Sequence, residues 1–212
     1  MKRITFITGH YGSGKSEVAT NLAIIKHVDM IIDLDIVNPY FRSRELETVF
    51  NTHGIKLVGS PVANSLGSDL PFISSEIMTP FIYPHLKAVY DLGGDAVGAR
   101  LLRQFSLNEE CDLLLCINIY RDDTSSVDKI IKMIDSIEAM GGAKITGLIN
   151  NTNLIRNTTI DDIIKGEAII KQVSEIKHLD IKYTTVNIPL KREVKFAGEL
   201  LEIELYLRKK WL

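Results

Sequence analysis

Short apolar runs alternate along the chain with longer segments of helical period. This alternation is typical of strand–helix–strand units around a mostly parallel sheet, with helices on both faces. We therefore predict a three-layer, doubly wound α/β fold with six or seven strands. The clearest predicted strands are 3–8, 30–34, 56–59, 88–92, 112–119, 144–149 and 182–187. The predicted helices are 15–26, 96–105, 124–140, 160–176 and a last one over about 194–208, which we expect to pack against the sheet.

The length of 212 residues fits one domain, because single cores stop growing near about 250 to 300 residues. The segment 61–84 contains four prolines and several serines. We interpret it as a surface excursion or lid rather than as a linker between domains.

Composition excludes several classes of protein. Lysine plus arginine total 25 and aspartate plus glutamate 27, so the net charge is −2, and bulk electrostatic binding to nucleic acid is not expected. No apolar run reaches the roughly 20 residues of a membrane-spanning helix, and the N-terminus reaches Gly9 too soon for a secretory signal. We expect a cytoplasmic protein whose two cysteines, Cys111 and Cys116, are buried thiols.

The strongest motif is GHYGSGKS, residues 9–16, a full match to G-x-x-x-x-G-K-[ST] between a predicted strand and a predicted helix. Glycines let the backbone approach a phosphate chain, and the helix N-terminus adds positive potential. Lys15 is predicted to contact the β and γ phosphates and Ser16 to bind Mg²⁺. The predicted nucleotide contacts are Gly9, Gly12, Ser13, Gly14, Lys15, Ser16 and Glu17.

Acidic residues follow two other predicted strands, where the ligands of open α/β sheets bind. The strand at 30–34 ends in Asp33-Leu34-Asp35, whose two acids are two positions apart and project to the same side of an extended chain. The strand at 88–92 ends in Asp91-x-x-Gly94, which resembles a Walker B segment. Asp91 is a predicted Mg²⁺ ligand, and Gly94 is predicted to offer its amide to the γ phosphate. For either pair alone, surface carboxylates that cap loops are an equally good interpretation.

Together, these three segments resemble the CobQ/CobB/MinD/ParA-type family of phosphate-loop ATPases over nearly the whole chain. The resemblance implies that Asp35 orients or activates the attacking water, that Asp33 lies beside the Mg²⁺ shell and that Asp91 is the Walker B acid. It also implies that Asn150, at the end of a later strand, contacts the adenine ring. ATP and Mg²⁺ are the cofactors that it implies.

His10 departs from this family, because many MinD and ParA relatives carry there a signature lysine that reaches the partner's nucleotide. Imidazole is shorter and only partly charged near neutral pH. We therefore expect no ATP-sandwich dimer of that kind, and a homodimer through another surface stays open. Arg42, Arg44 and Arg100 follow the acidic segments, either as phosphate contacts or as solvated loop residues.

Three functions remain open at this point. The first is a Mg²⁺-dependent ATPase whose hydrolysis is read by a partner or client enzyme. The second is an ATP-dependent small-molecule kinase or a CobQ-like carboxylate-activating ligase, whose acceptor pocket the segment 61–84 could form. The third is a nucleotide-sensing module without useful turnover.

Overall fold

A computed structural model shows an eight-stranded sheet in which every strand pair is parallel. The structure describes residues 1–34, 43–59, 75–94, 96–187 and 195–207. The strands are β1 Ile4–Thr8, β2 Met30–Leu34, β3 Lys56–Gly59, β4 Ala88–Leu92, β5 Cys111–Ile117, β6 Gly147–Asn150, β7 Ile181–Val186 and β8 Glu199–Glu202. The helices are α1 Lys15–Ile25, α2 Ser43–Thr52, α3 Thr79–Ile82, α4 Ala96–Leu101, α5 Val127–Gly141 and α6 Ile160–Lys177.

The strand order is β3-β2-β4-β1-β5-β6-β7-β8. From β1 the chain first builds toward the β3 edge, and from β5 onward it builds in the opposite direction. In open α/β sheets, ligands bind at the carboxyl ends of the strands where this direction reverses. The loop after β1 lies at that point.

Helices cover both faces of the sheet because its strands carry apolar residues on both sides. Ile4 and Phe6 of β1 belong to a core shared with α4, α5 and α6. Ile7, on the opposite face, belongs to a core with α1 and α2. The predicted three-layer α/β architecture is confirmed.

Most predicted elements are present, with shifted ends. The predicted helix 124–140 begins only at Val127, and it ends before Gly142, whose φ of 67° is left-handed. The predicted helix 96–105 shortens after Leu101 into a 3₁₀ turn. Helix α2 was not predicted, although its buried Leu46 and Phe50 have helical spacing.

The predicted C-terminal helix over 194–208 is wrong. The described part of that segment contains β8, which pairs with β7 and extends the sheet, followed by an irregular stretch to residue 207. Leu201 is buried between exposed Leu200 and Glu202, which is the alternation of a strand rather than the stripe of a helix. Pairing with β7 satisfies backbone groups that would otherwise lie on a free edge.

The described half of the predicted excursion, residues 75–84, packs on the body of the domain. A 3₁₀ turn at Ser75–Met78 precedes α3. Tyr90 donates a hydrogen bond of 2.6 Å to the Ile77 carbonyl, and Arg3 donates one of 2.7 Å to the Pro80 carbonyl. Residues 60–74 lie outside the described ranges. None of the helices that the structure describes is long and apolar enough to cross a membrane.

The strand assignment of β8 predicts opposite costs for two neighbouring leucines. Leu201→Ala should lower the free energy of unfolding by about 2 to 4 kcal/mol, because Leu201 is 1% exposed in a packed core. Leu200→Ala should change it by about 0.5 kcal/mol or less, because Leu200 is 39% exposed. Urea denaturation of both variants tests this. Equal losses would contradict the strand.

Candidate functional site

The segment 9–16 forms a tight loop between β1 and α1. Gly14 caps α1 with a left-handed φ of 88°, and a Cβ there would lie 2.4 Å from the Asn151 amide nitrogen. Only glycine fits both this conformation and this approach. The first amides of α1 point out of the helix N-terminus toward the loop, a geometry that favours an anion there.

Lys15 and Ser16 open α1 and are buried, at 5% and 7% exposure. Among the described residues, no carboxylate forms an ion pair with the Lys15 ammonium. A buried cation without a counter-charge is costly. The loop therefore has the electrostatics of a site that awaits an anion.

Neutral groups support the underside of the loop. Asn151 donates a hydrogen bond of 2.6 Å to the Ser13 carbonyl, and the Cys116 thiol contacts the same carbonyl at 3.6 Å. Burial raises the pKa of Cys116 to about 12, so the thiol stays uncharged at neutral pH. Neither Asn151 nor Cys116 therefore carries a negative charge that would neutralise Lys15. Both cysteines are buried and free, as predicted.

The predicted metal residues come together beside this loop. Asp33 on β2 and Asp91 on β4 are register partners on adjacent strands. With Ser16 and Thr20 they line a cavity of about 20 Å³. Two carboxylates and a hydroxyl are hard oxygen donors, which fits Mg²⁺ because this ion keeps several positions for water and phosphate oxygens. Within the described ranges, no group of three or more His, Cys, Asp or Glu side chains could hold a metal.

Gly94 lies directly against the start of the phosphate loop. A Cβ on Gly94 would lie 2.3 Å from the Gly9 carbonyl oxygen and 2.9 Å from the Tyr11 amide nitrogen. Any other residue would push the two segments apart. The backbone after β4 and the phosphate loop are thus held in contact, as the predicted role of the Gly94 amide requires.

A cavity of about 40 Å³ lies on the other side of the loop, toward β6 and β7. Arg121 lines it and donates a hydrogen bond of 2.8 Å to the Gly12 carbonyl. Arg121 is not among the site residues that the sequence predicts. Its position just after β5, the strand next to β1, is the signal that could have revealed it. The other lining residues are Gly12, Ser13, Gly14, Glu17, Asn151, Asn153, Ile155, Asn187, Ile203 and Leu205.

Asn150, the predicted adenine contact, is fully buried and does not line this cavity. Its amide donates to the Ile163 carbonyl at 3.1 Å and accepts from the Thr152 amide at 3.2 Å. A contact with a base would require this side chain to leave both partners, and it stays a prediction. The asparagines after β6 and β7 that line the cavity are Asn151, Asn153 and Asn187.

Glu17, a predicted nucleotide contact, holds the C-terminal segment. Its carboxylate accepts hydrogen bonds from the backbone amides of Tyr206 and Leu207. Asn21 exchanges two further bonds of 2.8 Å with the backbone of Glu204. Because Glu17 also lines the cavity, it connects the irregular stretch after β8 to the edge of the site.

Three residues from the sequence hypotheses cannot be placed. Asp35 and Arg42 lie outside the described residues, and so does the side chain of Arg44, whose backbone belongs to α2. Arg100 is described and lies exposed in the last turn of α4. His10 is held by Asp123, with 2.6 Å between Nε2 and the carboxylate.

The position of Arg121 predicts a loss of nucleotide affinity on substitution. Arg121→Ala should weaken nucleotide binding by roughly tenfold, because a charge-assisted contact near the phosphates and a brace on Gly12 are both removed. Arg156→Ala, which changes an arginine outside the lining of this cavity, is the control. Calorimetric titration with Mg·ATP measures both. Equal affinity of the two variants would exclude Arg121 from the site.

No protein-family model matches the sequence, and no curated protein matches it. Solved structures do resemble the fold. FtsY from Mycoplasma mycoides has a TM-score of 0.56 at 16% identity, with 86% of this chain and 60% of that chain covered. FtsY from Thermotoga maritima has a TM-score of 0.55 at 15% identity, with 88% and 62% covered. FlhF complexed with GMPPNP and Mg²⁺ has a TM-score of 0.50 at 11% identity, with 77% and 60% covered.

The chain thus spans about 60% of the length of these structures. At such identities the likeness concerns the fold, and it does not distinguish MinD, ParA and CobQ relatives from other phosphate-loop proteins. The assignment to that family stays a prediction. An all-parallel sheet with a phosphate loop after its central strand β1 shows that this chain has the α/β fold of the phosphate-loop NTPases.

Proposed function

We propose that the chain binds a nucleoside triphosphate with Mg²⁺ at the phosphate loop and hydrolyses it as an ATPase. The observation that carries this proposal is the buried Lys15 next to Ser16, which lines a cavity with Asp33 and Asp91. Cation and carboxylates lie at the same strand ends, yet no ion pair joins Lys15 to a described carboxylate. Phosphate oxygens would contact the Lys15 ammonium, and a divalent ion would contact the two carboxylates.

The cationic and the acidic groups of the site have different roles in this proposal. Lys15 and the first amides of α1 bind the phosphates and stabilise the charge that develops on them. Ser16, Asp33 and Asp91 would hold Mg²⁺, which neutralises phosphate charge when it is bound. Asp35, as the family resemblance implies, positions the attacking water.

The base is proposed to be adenine. Asn187 supplies a side-chain amide beside the cavity, and an amide can donate and accept at a purine edge. The sequence after β6, residues 150–153, has no N-K-x-D guanine signature. The alternative is guanine, since FlhF and one of the FtsY structures are complexes with GMPPNP and GDP.

Competition between nucleotides tests this proposal. Mg·ATP should displace a fluorescent nucleotide at a concentration roughly tenfold or more below that of Mg·GTP, since one favourable hydrogen bond to the base accounts for about that factor. Phosphate release from Mg·ATP, absent in Lys15→Ala, should accompany it. Better displacement by GTP would replace adenine with guanine, and tight binding without release would leave a nucleotide sensor.

The proposal also includes coupling of nucleotide hydrolysis to a partner or client enzyme. Because Asp123 holds His10 at the edge of the loop, no long cation reaches outward from that position. We therefore expect no signature-lysine sandwich. Sedimentation velocity with Mg²⁺ and a non-hydrolysable ATP analogue should show no nucleotide-induced dimer.

A second candidate function is phosphoryl transfer to a small acceptor, as in a kinase or a carboxylate-activating ligase. One observation favours it. A cavity of about 420 Å³ adjoins the phosphate loop at His10 and Gly94, so a small acceptor bound there would lie beside the loop. Release of phosphate that depends on an added acceptor would distinguish it from simple hydrolysis.

A further inference from the structure

We propose that the 420 Å³ cavity between the phosphate loop and α5 binds a small molecule with one anionic group on an apolar body. The inference rests on the proposed nucleotide site, for which this molecule would be the second ligand. We call this space the α5 cavity. His10, Gly94, Asp123 and one face of α5 line it.

The location ties the α5 cavity to the nucleotide site. Gly94 is packed against the Gly9 carbonyl, and His10 is the next residue of the phosphate loop. A ligand in the cavity would therefore touch both segments that frame the phosphates. The cavity toward β6 lies on the other side of the loop, so a nucleotide there would leave the α5 cavity open.

The charges in the α5 cavity favour an anion. Lys129 and Lys132 lie one turn apart on α5, while Asp123 is already engaged with His10. The Lys129 ammonium donates to the Asp122 carbonyl at 2.7 Å and to the Ser125 hydroxyl at 3.1 Å, which fixes its position. An ammonium has three donors, so one remains for a ligand.

Apart from Ser136, the rest of the α5 face that lines the cavity is apolar. Met133, Ile137 and Met140 continue the cavity along the helix at i, i+4 and i+7. The face thus changes from cationic near the phosphate loop to apolar farther along α5. A carboxylate or a phosphate monoester on an apolar body matches that order. The volume of about 420 Å³ lies within the range of small-ligand sites.

Methionine methyl NMR can observe this occupancy directly. The full chain has five methionines, and Met133→Leu and Met140→Leu assign the two cavity signals. The probes are benzoate, phenyl phosphate and uncharged benzyl alcohol. We expect both methyl signals to shift with an anionic probe and to shift far less with benzyl alcohol. Comparing the affinities for benzoate and phenyl phosphate shows whether the cavity prefers a carboxylate or a phosphate monoester.

Lys132→Met should lower the affinity for the tighter-binding anionic probe by roughly tenfold, because it removes one charged donor and keeps the length of the side chain. Lys56→Met, which removes an exposed lysine on β3, should change it by less than about twofold. Lys15→Ala should leave the methyl shifts intact. Loss of the shifts in Lys15→Ala would mean that the probe occupies the phosphate loop, and would overturn the proposal.

Separate outcomes decide the two proposals. Unmoved Met133 and Met140 signals with both anions, in a protein that binds Mg·ATP by calorimetry, would overturn the α5 cavity alone. Equal shifts with benzyl alcohol would overturn its anion selectivity. Shifts that depend on Lys132 in a protein that binds no nucleotide would support the cavity and overturn the proposed function.

Discussion

Replacing Lys15 with alanine is expected to weaken Mg·ATP binding by about 100-fold or more and to remove phosphate release. Lys15 would contact two phosphates, and each charge-assisted contact contributes roughly one decade or more in affinity. The ammonium is buried and has no ion pair with a described carboxylate. Its removal therefore releases no described ion-pair partner that could rearrange and compensate for the lost phosphate contacts. Calorimetry and a phosphate-release assay measure the two effects.

Folding is the necessary control for this variant. Because a buried ammonium that forms no ion pair with a described carboxylate is unfavourable, Lys15→Ala should unfold at the same urea concentration as the wild type or at a higher one. Lys56→Ala, at an exposed ion pair with Glu76, should leave both nucleotide affinity and stability nearly unchanged. A stable Lys15→Ala that binds and hydrolyses ATP normally would refute the phosphate site.

Local patterns were sufficient where one segment determines its own structure. The spacing of the phosphate loop predicts its contacts between strand and helix, because glycine conformation and the helix N-terminus act within eight residues. Asp33 and Asp91 could be paired because the carboxyl ends of parallel strands share one edge. The prediction for these residues depended on the order of the elements, which short apolar runs indicate well.

Long-range contacts are where the sequence was insufficient. The C-terminal segment has enough leucine and glutamate for a helix, yet pairing with β7 and the bonds from Glu17 and Asn21 hold it as a strand and an irregular stretch. Its partners on α1 are more than 180 residues away in the sequence. Propensity alone does not include such contacts.

Arg121 and Asn150 illustrate the same limit within the site. Arg121, which follows β5, donates to a carbonyl that is 109 residues away and follows the neighbouring strand β1. No local pattern therefore distinguishes it from a solvated turn residue. Asn150 has the residue type that suits a base, but a bulge in the β6–β7 register lies just before it and α6 occupies its amide. Which of two adjacent asparagines faces the cavity depends on this packing.

Asp91→Asn is expected to raise the Mg²⁺ concentration needed for half-maximal nucleotide affinity by roughly tenfold or more. The substitution keeps the shape of the side chain and removes one of the two described carboxylates in the small cavity beside Ser16. An amide oxygen is a weaker ligand for a hard dication than a carboxylate, so the ion binds less tightly. Titration of Mg²⁺ at fixed ATP, followed by fluorescence of a bound nucleotide analogue, measures the shift.

Asp112→Asn provides the matched control because Asp112 is equally buried at 5% exposure but lies at the start of β5, away from the loop. Its carboxylate accepts from the Lys2 amide at 2.9 Å and the Thr146 hydroxyl at 3.1 Å. Asparagine there should lower stability by about 1 to 3 kcal/mol and leave the Mg²⁺ requirement unchanged. A Mg²⁺ requirement that rises equally in both variants would mean that general destabilisation, rather than lost coordination, explains the effect of Asp91→Asn.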